Sequence, residues 1–308
     1  MIKKLNIFIF LTAFLAAIPL SAANPRGMTF LRMNSFARSE GMAGAFTAVA
    51  EGPDGLFFNP AGLPASEQDT LSVHASYLNW TAETNKQSAV IVIPYQLAEK
   101  YFYINSLCID YFSVPGLTKY DDSGNDIGDI LYNDIAVSFN LGKRRNDLSY
   151  GANVKILREN IDTYTGSGFA IDAGMLYEIS SMWRTGISFT NIGFFNLDPV
   201  QMRLPAAFRA GVAVANTERT YLLAIDYENY NSKAIIHLGA ELARNGYLLR
   251  GGWRNTQDTG EYTFGIGVDS SENYLINWNV QVYINYSYTF APYFSEENIQ
   301  RLDVGVKY

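Results

Sequence analysis

The 308-residue chain contains two histidines, His74 and His237, and a single cysteine, Cys108. An acyl-transfer or hydrolytic centre would need a nucleophile, a base and an orienting group converging on one point. His74 shares its parity with Ser72 and Ser76, and His237 shares its parity with Glu241, each alternating with apolar neighbours. Both therefore read as polar residues on one face of a strand. Cys108 has no intramolecular partner for a disulfide and reads as a small apolar position. Asp121-Asp122-Ser123-Gly124-Asn125-Asp126-Ile127-Gly128 superficially resembles a calcium loop. The EF-hand spacing is not met and no terminal Glu follows, so the segment reads as a solvated acidic loop. No phosphate loop, metal cluster or cofactor motif accompanies these residues. The expectation is a protein that is not an enzyme and carries no cofactor.

The elements that position these residues alternate with a period of two, the mark of strands with different solvents on their two faces. In the last strand Leu302, Val304, Val306 and Tyr308 oppose Arg301, Asp303, Gly305 and Lys307. Tyr262, Phe264, Ile266 and Val268 oppose Glu261, Thr263, Gly265, Gly267 and Asp269. A soluble sandwich turns the apolar face inward, whereas a membrane barrel turns it toward lipid. Alternation alone does not separate the two, but loop length does. Fourteen strands are read near 70–80, 86–96, 100–114, 129–142, 147–160, 167–180, 182–192, 204–216, 219–228, 233–243, 246–255, 260–269, 278–290 and 297–308.

Connections such as Val114 to Asp129, Asn160 to Ser167, Ile192 to Leu204 and Phe290 to Glu297 are long. Those at Gln96 to Lys100, Ser180-Ser181, Asn216 to Arg219 and Ala243 to Gly246 are tight. Short turns on one rim and long loops on the other indicate a transmembrane barrel. Ser270 to Asn277 breaks the pattern. The expected fold is all-β, a 14-stranded antiparallel transmembrane β-barrel, with an even strand count that puts both chain ends on the periplasmic, short-turn rim. Trp80, Tyr95, Tyr177, Trp183, Trp253 and Trp278 fall near strand ends, as interfacial aromatics do. Tyr308 supplies the aromatic terminus that barrel-assembly machinery meets.

Residues 1–23 read as a signal peptide: Lys3 and Lys4, an apolar run from Leu5 to Ile18, and small residues Ser21-Ala22-Ala23. The run is too short and too interrupted for a spanning helix. The formal charge of -7, from 23 basic and 30 acidic residues, becomes 21 minus 30, or -9, once the two leader lysines are removed. Lys143-Arg144-Arg145 is the richest basic spot and reads as a solvated turn, so nucleic acid is not an expected partner.

Residues 24–69 precede the barrel, which spans 70–308. From Asn34 to Ala50 this segment is mostly small, and small residues allow backbone to lie close against a barrel wall. Pro53-Asp54-Gly55 and Asn59-Pro60-Ala61-Gly62 are sharp turns, because Pro60 fixes its own φ and disfavours α geometry at Asn59. Gly41-Met42-Ala43-Gly44-Ala45-Phe46, Ala48-Val49-Ala50-Glu51-Gly52 and Phe58-Asn59-Pro60-Ala61-Gly62-Leu63 together resemble the opening of the PorV/PorQ-type branch of FadL-like outer-membrane barrels. Ala43 stands where that branch usually has glycine, and Phe36 or Ala37 where Gly-Ala-Arg commonly begins.

The resemblance implies that residues 24–69 fold into the lumen as a plug, or hatch. It implies an outer-membrane location and passage of long-chain fatty acids or other hydrophobic small molecules. The residues expected along the ligand path are Phe46, Phe57, Phe58 and Leu63, with Asn59, Pro60 and Gly62 setting the bend. The expected partners are outer-membrane lipid and the hydrophobic ligand. The alternative is a secretion-associated barrel that binds an exported protein at its long loops, with Val114 to Asp129 as the contact surface.

Overall fold

The computed structural model describes residues 27–66, 70–94, 97, 103–255, 260–270, 280–290 and 299–308. The leader, Tyr95, Trp278 and most of the Ser270-to-Asn277 connection lie outside the described residues. In chain order the strands are β1 Ser72–Asn79, β2 Asn85–Val92, β3 Ile104–Val114, β4 Thr118–Tyr120, β5 Asp126–Asp129, β6 Tyr132–Arg145 and β7 Leu148–Ile161. They continue as β8 Tyr164–Glu178, β9 Trp183–Leu197, β10 Val200–Met202, β11 Ala207–Ala215, β12 Tyr221–Tyr230 and β13 Lys233–Arg244. The last four are β14 Tyr247–Asn255, β15 Gly260–Asp269, β16 Gln281–Phe290 and β17 Ile299–Lys307.

Fourteen of these close an antiparallel barrel. Each strand pairs with its successor around the ring, and β17 returns to β1 with Ser72 opposite Lys307 and Asn79 opposite Gln300. Closure leaves no barrel strand with an unpaired edge, the condition for a sheet surrounded by apolar solvent. β10 is a short addition to β9, and β4 and β5 form a separate hairpin in the β3–β6 connection. No helix among the described residues is long and apolar enough to cross a membrane.

The two-residue period decides which side chain faces which way. On β15, Phe264 and Ile266 are exposed outside, whereas Thr263 is fully buried in the bore. Tyr150, Trp183, Tyr221, Tyr247 and Tyr308 are exposed at the short-turn rim, with Tyr77, Tyr164, Tyr262 and Phe290 toward the other. Two aromatic bands therefore flank an aliphatic belt. Trp183 takes its expected place, but Trp80 turns inward against Leu78 and Ile299.

Two expectations need correction. The connection from Asn160 to Ser167 is no long loop: β7 and β8 extend to a two-residue turn at Asp162-Thr163. Asn231-Ser232 closes β12 to β13 as tightly, with both residues at left-handed φ (56° and 59°), a turn whose twist matches that of the strands it joins. The long-loop rim thus mixes long excursions with tight hairpins. Lys143-Arg144-Arg145 is not a turn either; it is the end of β6, because Arg144 points inward to Glu178 (2.9 Å) and to the Ala65 carbonyl (2.8 Å).

Tyr308 N donates to Leu71 O (3.0 Å), so the barrel begins and ends at one rim, as an even strand count requires. Gly27 lies at the opposite rim, where its N–H donates to Arg203 O (3.1 Å). The segment 27–66 therefore runs the length of the bore. The buried core of the molecule is the contact between this segment and the inner wall.

Candidate functional site

The plug is an irregular chain with short helices at Ala37–Gly41, Gly55–Phe58 and Gly62–Ser66. Such pieces cannot satisfy their own backbone, so the wall does it. Asp226 accepts from the N–H groups of Phe46 and Thr47 (2.8 and 2.7 Å), and Asp303 accepts from Ala37 N (2.7 Å). Asn140 donates to Pro60 O (2.9 Å), Asn153 to Leu56 O (2.8 Å), Ser188 to Phe58 O (2.6 Å) and His237 Nδ1 to Ala43 O (2.8 Å). His237 and His74 both face the bore, as their parity requires. Cys108 is buried beside Phe36, Leu63 and Val90.

Asn59 fastens the bend. Its amide donates to Thr47 O and to Met175 O of the wall (3.0 Å each), and its Oδ1 accepts from Ala61 N (3.1 Å). Wall and plug approach so closely here that side chains do not fit. A Cβ on Gly174 would lie 2.0 Å from Asn59 Oδ1, and one on Gly151 would lie 2.2 Å from Pro60 O. Within the plug, a Cβ on Gly62 would lie 2.1 Å from Ala50 O.

The helix Ala37–Gly41 divides the bore into two cavities. Glu40 faces the outer one, on the long-loop side, where it meets Arg254 (3.1 Å) and Arg301 (3.3 Å). Arg38 faces the inner one, where it meets Glu241 (2.8 Å) and Glu51 (3.4 Å).

The outer cavity, about 580 Å³, combines Leu31, Met33, Phe57, Phe58, Trp80 and Ile235 with seven charged side chains, those of Arg32, Glu40, Arg209, Glu228, Arg254, Glu261 and Arg301. Those charges are paired: Glu228 binds Arg32 (2.5 Å) and Arg209 (2.7 Å) and faces His237 Nε2 (3.1 Å). Arg32 also stacks on Tyr230 (3.6 Å) and Arg209 on Phe58 (4.8 Å), so aromatic faces cover the cations.

The inner cavity, about 500 Å³, is ionic. Glu51 meets Arg38, Arg184 (3.2 Å) and Arg219 (2.5 Å), and Glu178 joins Arg144 to Arg184. Burial disfavours the Glu51 anion, but Arg38, Arg219 and Arg184 outweigh it and hold the carboxyl down at about 2. Asp54 differs. Burial, followed by the neighbouring Asp303, pushes its carboxyl up to about 7 against the opposing pull of Arg38 and Ser39.

Of the path residues expected from sequence, Phe57 and Phe58 line the outer cavity. Phe46 packs on Phe58 (centroids 5.6 Å apart), and Leu63 is buried with Phe36 and Leu56, so these two are interior packing. Asn59, Pro60 and Gly62 form the bend below them. Leu31, Arg32, Met33, Arg209 and Glu228 were not singled out in the sequence, although the Phe30-Leu31 and Met33 run is an apolar signal. In the Val114-to-Asp129 loop, Asp121 spends its oxygens on Ser123 N (2.9 Å), Asn125 N (2.8 Å) and the Asn125 amide (2.9 Å), an Asx turn.

No protein-family model matches the chain, and no curated protein matches it. Solved structures do. The toluene transporter TbuX of Ralstonia pickettii superposes with a TM-score of 0.54 at 15% identity, covering 89% of this chain and 97% of its own. The toluene transporter TodX of Pseudomonas putida gives 0.55 at 12% identity, covering 94% and 99%. A Pseudomonas aeruginosa FadL homologue gives 0.55 at 10% identity, covering 93% and 99%. The chain thus has the fold of these barrels over nearly its whole length.

Proposed function

We propose that the chain is an outer-membrane barrel that passes hydrophobic small molecules, long-chain fatty acids or smaller hydrocarbons, from the long-loop side through the plugged bore. The observation that carries this reading is the outer cavity. It is a partly apolar chamber inside a closed barrel whose outer wall is itself apolar, and its floor is a plug fastened by hydrogen bonds. An apolar solute gains from leaving water for Phe57, Phe58, Leu31 and Met33, at roughly 25 cal/mol per Å² of surface buried. The charged groups lining the chamber are already neutralised by partners, which limits the cost of a dry occupant. The toluene transporters of the same fold support the solute class. The aromatic bands and the belt between them support the membrane location, with the short-turn rim facing the periplasm. No step in this reading needs chemistry on the solute.

The test is uptake of radiolabelled toluene and oleate by cells that depend on this barrel. Uptake that disappears with the barrel and falls in Phe57→Ala and Phe58→Ala supports passage. Uptake indifferent to all three excludes it.

A second reading, a PorV-like barrel serving a secreted protein, is favoured by one feature. The β4–β5 hairpin and its flank expose Tyr120, Ile127 and Leu131 at the long-loop rim, apolar groups that nothing among the described residues covers. Deleting residues 117–130 should abolish co-purification of an exported protein under that reading and leave solute uptake intact.

A further inference from the structure

The wall has a third hollow, and it faces outward. Where β6, β7, β8 and β9 run side by side, a groove of about 630 Å³ lies on the outer surface. Its floor is Ala152 and Ala173, which are cross-strand partners, with Leu141 opposite Ala152 on the next strand. Its walls are Tyr150, Met175, Ile187 and Phe189.

The plug explains the hollow. The inward positions at the same level are Gly142, Gly151 and Gly174, paired in a row across three strands. Because they lack a Cβ, the sheet closes down onto Asn59 and Pro60, while alanines on the other face leave the space outside unfilled. The strands beneath the groove are paired residue by residue, from Leu141–Ala152 to Ala173–Phe189. The groove therefore belongs to the barrel's surroundings and is closed off from the bore.

One end of the groove is cationic. Lys143 is on the outward face of β6 near the short-turn rim, its Nζ donating to Tyr103 OH (2.6 Å) and lying 4.5 Å from that ring's centre. An ammonium and a phenol at the mouth of an otherwise apolar trough match a ligand with one anionic head and a hydrocarbon tail.

We propose that this groove holds one phospholipid from the leaflet on the short-turn side, an acyl chain over Ala152 and Ala173 and the phosphate on Lys143. The inference rests on the membrane reading above. It assigns the groove to a resident lipid and not to the passing solute, because paired strands separate it from the outer cavity.

The experiment is native mass spectrometry of the full barrel purified in mild detergent and titrated with phosphatidylglycerol and phosphatidylethanolamine. Wild type should retain one phospholipid per barrel. Ala173→Trp fills the groove from outside without reaching the plug and should abolish retention. Lys143→Gln removes the head-group contact and should weaken it about tenfold. Ile225→Trp, on the exposed face of another part of the wall, should retain lipid like wild type. The heat-dependent gel shift of folded barrels shows that each variant is intact. An intact wild-type barrel that holds no phospholipid, or Ala173→Trp retaining as much as wild type, overturns the proposal while leaving the membrane reading standing. Solubility without detergent overturns both.

Discussion

The two cavities on either side of the helix Ala37–Gly41 are of similar size, about 580 and 500 Å³, and differ in what they offer a visitor. The outer one pairs its charges both across plug and wall (Arg32 with Glu228, Glu40 with Arg254 and Arg301) and within the wall (Arg209 with Glu228), and presents aromatic and aliphatic surface between them. The inner one has little apolar lining between its charges, and Glu51 alone ties Arg38, Arg184 and Arg219 together. A chamber of the first kind can take up an apolar solute. One of the second kind holds a segment in place. On the passage proposed above, the outer side of the plug is the receiving face, the inner side is the more ionic fastening, and the plug must yield for a solute to pass.

The strongest way to break this contrast is to remove the seat of the plug. Gly174→Leu puts a branched side chain where even a Cβ would be 2.0 Å from Asn59 Oδ1. The bend cannot stay, and conductance in a planar bilayer should rise from near zero to that of an open pore. Unchanged conductance would mean that the plug is not what closes the bore.

Next comes the ionic fastening. Glu51→Gln removes the anion that three arginines share. Breaking a buried pair costs about 3 kcal/mol, and here about 2 is expected because the Arg219 side chain is more than half exposed. Amide exchange in residues 51–58 should then quicken about thirtyfold, with the wall strands unaffected. Equal quickening in both would show that the fastening belongs to the whole barrel.

A smaller effect sharpens the receiving face. Phe57→Ala should lower solute uptake several-fold, whereas Leu63→Ala, a packing position, should lower thermal stability by about 2–3 kcal/mol with less effect on uptake. The reverse ranking would move the path into the interior of the plug.

The smallest effect is that of pH. A depressed carboxyl contributes stability above its ordinary value and loses it on acidification, so the Glu51 fastening should weaken as pH falls from 4.5 through about 2. Asp54 has the opposite sign. Its raised carboxyl favours the folded plug when protonated, and that contribution is lost as pH rises from 3.8 through about 7. Protection of the amides near Asp54, taken relative to their intrinsic exchange rates at each pH, should therefore be weaker at pH 8 than at pH 6, and Asp54→Asn should remove the difference.

Much of the barrel was legible because an apolar outer face and a polar bore impose one rule on every strand. β15 was placed to the residue from alternation alone. Errors came where the rule lapses. Asn191, at left-handed φ, marks a bulge opposite the register shift between Ile171 and Ala173, beyond which inward and outward exchange along β9. That strand was expected to stop at Ile192, five residues before Leu197. The plug's position could be expected from its small residues and its Asn-Pro bend, but not its partners. Arg38 finds Glu241 across 203 positions of sequence, and only the register of fourteen strands brings them together. Parity did put His237, Glu241 and Arg301 on the polar faces of their strands, and that was the available hint of a charged bore.

The most direct measurement of the receiving face is a crystal structure of the barrel soaked with a brominated hydrocarbon, read by the anomalous signal of bromine. The account predicts bromine in the outer cavity between Phe57, Phe58 and Met33. Bromine confined to the inner cavity or to the outside of the wall would contradict it.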